Sequence, residues 1–122
     1  MPKSLSAIST FELVESFLSI TLQQYEAERH YKTRKYNRLY DEMETVKAEL
    51  KGRAGDQRRA LLPLLQHPNV QVRLMTAIAL LAVEPDRAKA TLVEVSDAME
   101  VAQAADAAMM LEALEEGEYI PS

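Results

Sequence analysis

The sequence predicts an all-α fold, three stacked helical hairpins forming a short α-solenoid, and three observations predict it. Apolar residues make up 48% of the 122, but aromatics only 6% and Trp none. That balance suits helices packed through Ala and Leu better than a β-sandwich. Breakers are few, with three Gly and five Pro, and the long segments between them repeat apolar residues every three or four positions. Within Leu61–Val83, a short apolar helix meets a break at Pro68 and a second helix capped by Asn69. Two helices joined this tightly cannot each bury an apolar face alone, so they stack on neighbours.

The length fits a single domain spanning 1–122, large enough to bury a core. Its expected subdivisions are an N-terminal hairpin over 8–53, a central repeat over 56–83 and an acidic C-terminal hairpin over 85–117.

The first helix opens at a capping box, Ser9 followed by Glu12, and runs to about residue 30 with Phe11, Val14, Leu18, Leu22 and Tyr25 as its apolar stripe. Thr33 is a candidate cap for the second, striped by Tyr36, Leu39, Tyr40, Met43, Val46 and Leu50. Lys47, Lys51 and Arg53 complement the end of its macrodipole, and Gly52 and Gly55 then let the chain turn. Asp56 is expected to open a third helix through Leu61, Leu62, Leu64 and Leu65, kinked by Pro63.

Asn69 opens the fourth helix, which runs to Val83, and Pro85 occupies the first turn of a fifth through Thr91, Leu92 and Val95. Ser96 or Asp97 is the expected cap of a sixth, stopped near Gly117. The 28 residues from Asn69 to Asp97 approach a helical repeat period. The sixth helix carries two apolar stripes. Ala102, Ala105, Met109 and Ala113 form one, and Ala107, Met110, Leu111 and Leu114 the other. A terminal repeat normally shows a polar outer face, so one of these stripes is a candidate docking surface.

The net charge of −5 conceals a segregation. Residues 1–28 carry −3, residues 29–89 carry +6, and residues 90–122 carry eight acids without one Lys or Arg. Such a dipolar surface steers charged partners. With no Cys, disulfides, thiol nucleophiles and Cys-based zinc sites are excluded, and a reducing cytoplasm is the expected location. No apolar run nears the roughly 20 residues of a membrane span, and the first residues have too short an apolar stretch for a signal peptide.

Chemistry-bearing patterns are missing. The only histidines are His30 and His67, neither in a Glu-x-x-His or His-Glu-x-x-His arrangement, so no metal site is expected. Gly52 and Gly55 lack the Lys-Ser/Thr of a phosphate loop, and no Ser or Thr sits near a His–carboxylate pair in the sequence. The expectation is a protein without enzymatic activity or cofactor. Arg29 to Arg38 interleaves cations with Tyr31 and Tyr36, a composition that also suits phosphate contacts and base stacking.

Asn69, Val72, Arg73, Ala77 and Leu81 resemble the second helix of a HEAT repeat. Several further stretches extend the likeness: Lys35-Tyr-Asn-Arg-Leu39, Glu49-Leu-Lys-Gly-Arg53, Asp56-Gln-Arg58, His67 to Leu74, and Met110 followed by Leu114-x-x-Gly117. Together they resemble a family of small bacterial HEAT-like proteins, a domain of unknown function, across most of residues 11–117. The resemblance implies an all-α bacterial cytoplasmic protein and brings no established activity. HEAT-like stacks also bind DNA in the alkylpurine DNA glycosylases, whose catalytic pattern this chain does not show. In size, charge and architecture the chain is similar to immunity proteins that neutralise cognate toxins.

The resulting expectation is a protein-binding module of immunity or antitoxin type, docking a basic protein partner through its acidic C-terminal helices. The residues expected to carry it are Asp97, Glu100, Asp106, Glu112, Glu115 and Glu116, with Met110 as apolar anchor. The alternatives are nucleic-acid binding through Arg29, Lys32, Arg34, Lys35 and Arg38, and a homo-oligomer joined through the sixth helix. Tyr36 and Arg73 read as structural.

Overall fold

A computed structural model describes residues 4–122, and among them every regular element is helical. The chain divides into two compact units, one ending at Ala60 and one beginning at Leu61.

In the first unit a 3-10 turn, Leu5–Ala7, leads into α1 (Thr10–Arg29) and α2 (Thr33–Gly52), which pack together. Ser9 caps α1 as expected, its Oγ accepting the Glu12 N–H at 3.1 Å and donating to the Glu12 carboxylate at 3.3 Å. The buried stripe of α1, however, is Leu13, Phe17, Ile20, Thr21, Gln24 and Ala27. The expected stripe is displaced outward: Val14, Leu18, Leu22 and Tyr25 are half-buried and Phe11 is 71% exposed. The cause is that α1 has two apolar arcs side by side, and two polar residues join the buried one. Thr21 does so by returning its hydroxyl to the Phe17 carbonyl at 3.0 Å, and Gln24 by donating to Met43 Sδ at 3.5 Å. On α2, Leu39, Met43, Val46 and Leu50 are buried as expected, with Tyr36 half-buried and Tyr40 exposed.

Arg53, just past α2, ties this unit together. Its Nε donates to Glu49 at 2.9 Å, and Nη1 donates to Thr10 Oγ1 at 3.2 Å. Nη2 donates to the carbonyls of Leu5, at 2.9 Å, and Ile8. A single guanidinium fork thereby anchors the 3-10 turn to the end of α2.

The segment after Gly55 departs from expectation. Asp56 has a left-handed backbone, φ +51°, and the chain then winds into a 3-10 helix, Gln57–Gln66, rather than a kinked α-helix. Inside an α-helix, Pro63 would lose one hydrogen bond and clash with a carbonyl one turn back. The tighter 3-10 winding has three residues per turn, and the burial of Arg58, Leu61 and Leu64 matches that period. Asp56 Oδ1 accepts Arg58 Nε at 2.9 Å and Oδ2 accepts Nη2 at 2.7 Å. The Arg58 guanidinium so bonded holds the Asp56 carboxyl below the usual carboxylate range.

In the second unit α3 (Val70–Leu80) packs against both α4 (Pro85–Ser96) and α5 (Val101–Glu115), and α4 packs against α5. Asn69 caps α3 as expected, its Oδ1 accepting the N–H groups of Gln71 at 2.9 Å and Val72 at 3.2 Å. The Asn69 N–H donates to His67 Nδ1 at 3.0 Å, and Arg73 Nη1 donates to the His67 carbonyl at 3.3 Å. Both side chains thus hold the turn. Nine of the eleven α3 residues are buried, and Pro85 occupies the first turn of α4. Gly117, at φ +74°, ends α5 in a Schellman arrangement. Its N–H donates to the Leu114 carbonyl at 3.3 Å, and that of Glu118 to Ala113 at 2.9 Å.

Candidate functional site

The acidic third of the sequence folds as α4, the turn 97–100 and α5. Asp97 does not open the last helix. It ends α4, its N–H donating to the Val95 and Glu94 carbonyls, and Glu100 stands at the start of α5 with no capping hydrogen bond from its side chain. The intervening turn uses residues 97–100, so α5 begins at Val101, later than the expected cap at Asp97 implies.

Helix α5 buries Gln103 and Ala107 alone. Gln103 Nε2 donates to Gln71 Oε1 of α3 at 3.0 Å, both side chains being buried. Ala107, Met110, Leu111 and Leu114 form the inner stripe, of which the last three are half-buried. Met110 therefore lies on the packed side of the helix, and the methionine that meets solvent is Met109, 67% exposed.

At 100° per residue, Val101, Ala105, Ala108, Met109 and Glu112 share an arc of about 100° on the far side of α5 from Ala107. All five are exposed, Val101 by 81%, and Met99 in the preceding turn is 94% exposed. Glu112 lies within this arc, Glu115 and Asp106 flank it, Glu100 precedes it and Glu116 follows it, all exposed. Among the described residues Asp97, Glu100, Glu112, Glu115 and Glu116 form no ion pair, so their field is not neutralised locally. The outer face of α5 is a narrow apolar strip with exposed carboxylates in and beside it. Sequence periodicity separates the two stripes but does not show which one the core takes.

The cations of the basic stretch cluster on the first unit. Arg29, Lys32, Arg34, Lys35 and Arg38 are all exposed, and Arg34, Lys35 and Arg38 fall within about 100° of arc on α2. Arg29 lies over the Tyr25 ring, 5.5 Å from its centroid. No acid occupies the first turn of α2, and Lys32 provides no side-chain cap. Tyr31 occupies the turn with φ +56° and is 90% exposed. A shallow groove beside Lys35 has Leu18 and Leu22 as its apolar lining and Glu15 and Glu26 among its polar residues.

Among the described residues no group of three His, Cys, Asp or Glu side chains could hold a metal ion, and no helix is long and apolar enough to cross a membrane.

An all-α chain with a well-buried α3 and an open acidic terminal helix is the class that fold and surface define. The chain belongs to the family described as a domain of unknown function (DUF2019), whose model matches residues 11–115. Among solved structures it is similar to the crystal structure of the protein RPA1889 from Rhodopseudomonas palustris CGA009. The two are 38% identical with a TM-score of 0.94, the match covering 99% of this chain and 100% of that one. No curated protein matches this chain.

Proposed function

We propose that this protein is a non-catalytic protein-binding module of HEAT-like build, docking a basic partner against the outer face of α5. The observation that carries this reading is the exposed strip of Val101, Ala105, Ala108 and Met109 with the carboxylates in and beside it. The successive helices Gln57–Gln66 and Val70–Leu80 read as one repeat-like pair, and α4 and α5 as the next. A terminal helix of such a stack normally turns a polar face outward. Here that face holds four apolar side chains, among them Met109, a residue type enriched at interfaces.

The carboxylates would accelerate encounter with a cationic surface through long-range attraction, and desolvation of Met109 and Val101 would slow release. This division of labour suits an immunity or antitoxin-like inhibitor covering the phosphate-binding surface of a nuclease. The partner would then be a basic protein, and the inhibitor would act by occlusion, with no reaction of its own.

Parallel affinity capture from nuclease-treated and untreated lysates of the cells that make the protein tests this, with wild type and Glu112→Lys/Glu115→Lys/Glu116→Lys as baits. A basic protein should be retained by the wild type and lost by the variant, with the same loss when the purified pair is remixed. Equal recovery on both baits would overturn the proposal. A catch that disappears on nuclease treatment would instead assign binding to nucleic acid at Arg29–Arg38.

A further inference from the structure

We propose that a second copy of this chain occupies the outer face of α5, docking through its Tyr31–Arg38 surface, so that the protein associates head to tail and masks its own docking face. The proposal rests on the reading that this face of α5 is a docking surface, and it names one occupant.

Two surfaces of the same chain are complementary in charge and in apolar content. The α5 face offers Met109 beside Glu112, Glu115 and Glu116, with Val101 and Met99 toward the start of the helix, all exposed. The other surface offers Arg34, Lys35 and Arg38 on one arc of α2, with Lys32 and the Tyr31 ring at its end. Methionine sulfur packs well against an aromatic ring. The methylene stems of Lys and Arg can cover Met109 while their charged ends reach Glu112 and Glu116, one and two turns along the helix.

Tyr31 carries a second hint. A left-handed backbone at φ +56° is unfavourable for a tyrosine relative to glycine, and a ring 90% exposed recovers none of this inside the chain. An intermolecular contact gives that ring a role. The three cations Lys32, Arg34 and Lys35 at the positive end of the α2 dipole are likewise unfavourable for the isolated chain, and docked carboxylates relieve them. Because the two surfaces differ, the contact is heterologous, and association continues past two chains unless it closes into a ring.

The experiment measures solution mass by light scattering at about 0.02 M and about 0.5 M salt, between which the Debye length falls from about 20 to about 4 Å. Wild type should grow in mass with concentration at low salt and return to one chain at high salt. Two neutralised variants, Glu112→Gln/Glu115→Gln/Glu116→Gln and Arg34→Gln/Lys35→Gln/Arg38→Gln, should each remain single chains. All six positions are exposed, and an unchanged helical circular dichroism signal verifies folding.

Mixed together, the two variants retain one working surface each, so the mixture should form a species of two chains and nothing larger. Wild type that stays a single chain at low salt, or a variant that assembles like wild type, overturns the proposal. If self-association fails while the α5 variant still loses its basic partner in the capture experiment, self-docking alone is wrong. If that variant keeps both its mass and its partner, the docking face is wrong as well.

Discussion

Helices α3 and α5 are neighbours of similar composition with opposite fates. Both are rich in Ala, Leu and Met, both lack acids in their first turn, and they touch through the Gln71–Gln103 hydrogen bond. Yet α3 buries nine of eleven residues and α5 two of fifteen. Hydrophobicity alone does not decide which helix forms the core. Position does: the three helices all pack on one another, but α3 is covered on nearly every side, whereas α5 keeps Val101, Ala105, Ala108 and Met109 uncovered. The apolar residues of α3 are accounted for by folding, and those on the outside of α5 are not.

The largest effect expected from this contrast is in the α3 interior. Leu74 is fully buried, and Leu74→Ala should cost about 2–5 kcal/mol through lost contacts and a residual cavity. Met109→Ala removes a comparable side chain from the outer face of α5 and should stay within about 0.5 kcal/mol. Urea midpoints of the two variants check both, and a large loss at Met109 would break the comparison.

Carboxylates sharpen it next. Asp56 is bonded to buried Arg58, so Asp56→Asn should cost about 1.5–3 kcal/mol at neutral pH, the asparagine tolerating the same left-handed backbone. The folded-state pKa of Asp56 is lowered. Its contribution is therefore complete above the ordinary carboxylate range and is lost as pH falls through the lowered value. Stability curves of wild type and Asp56→Asn should accordingly converge at the acid end. Glu112→Gln/Glu115→Gln/Glu116→Gln, which breaks no ion pair, should leave the thermal midpoint at neutral pH unchanged or slightly raised.

The link between the two helices comes third. Gln103→Ala leaves the Gln71 carbonyl oxygen without its Gln103 donor in a buried site and should cost about 1–3 kcal/mol. Hydrogen exchange should rise in α5 before α3.

Helix caps give the smallest contrast. Asn69→Ala removes two side-chain bonds to backbone N–H groups and should cost about 1 kcal/mol. Glu100→Ala removes none and should fall within about 0.5 kcal/mol. Thermal midpoints compare them.

Where a local rule acts alone, the sequence is legible. Ser9 before Glu12, Asn69 before an apolar run, Pro85 in a first turn and Gly117 after the last are local devices, and each functions as its residue type suggests. The α2 stripe is equally plain because α2 has only one. On α1 two apolar arcs compete, and the winner includes Thr21 and Gln24, whose burial no apolar pattern signals. The same ambiguity hides that Met109 rather than Met110 is the exposed methionine of α5, since adjacent residues lie 100° apart and only the packed neighbour shows which is covered. Asp97 misleads for another reason. It has the chemistry of a cap, but the turn 97–100 is needed before α5 can begin.

Photocrosslinking in living cells tests most directly whether the outer face of α5 is where this protein meets its partner. A photoreactive side chain would replace Met109 and, as control, exposed Lys51 on α2. The predicted result is an adduct at position 109 with a basic protein or a second copy of the chain, reduced when Glu112, Glu115 and Glu116 become Gln. Adducts no stronger at 109 than at 51, or insensitive to those three changes, would contradict it.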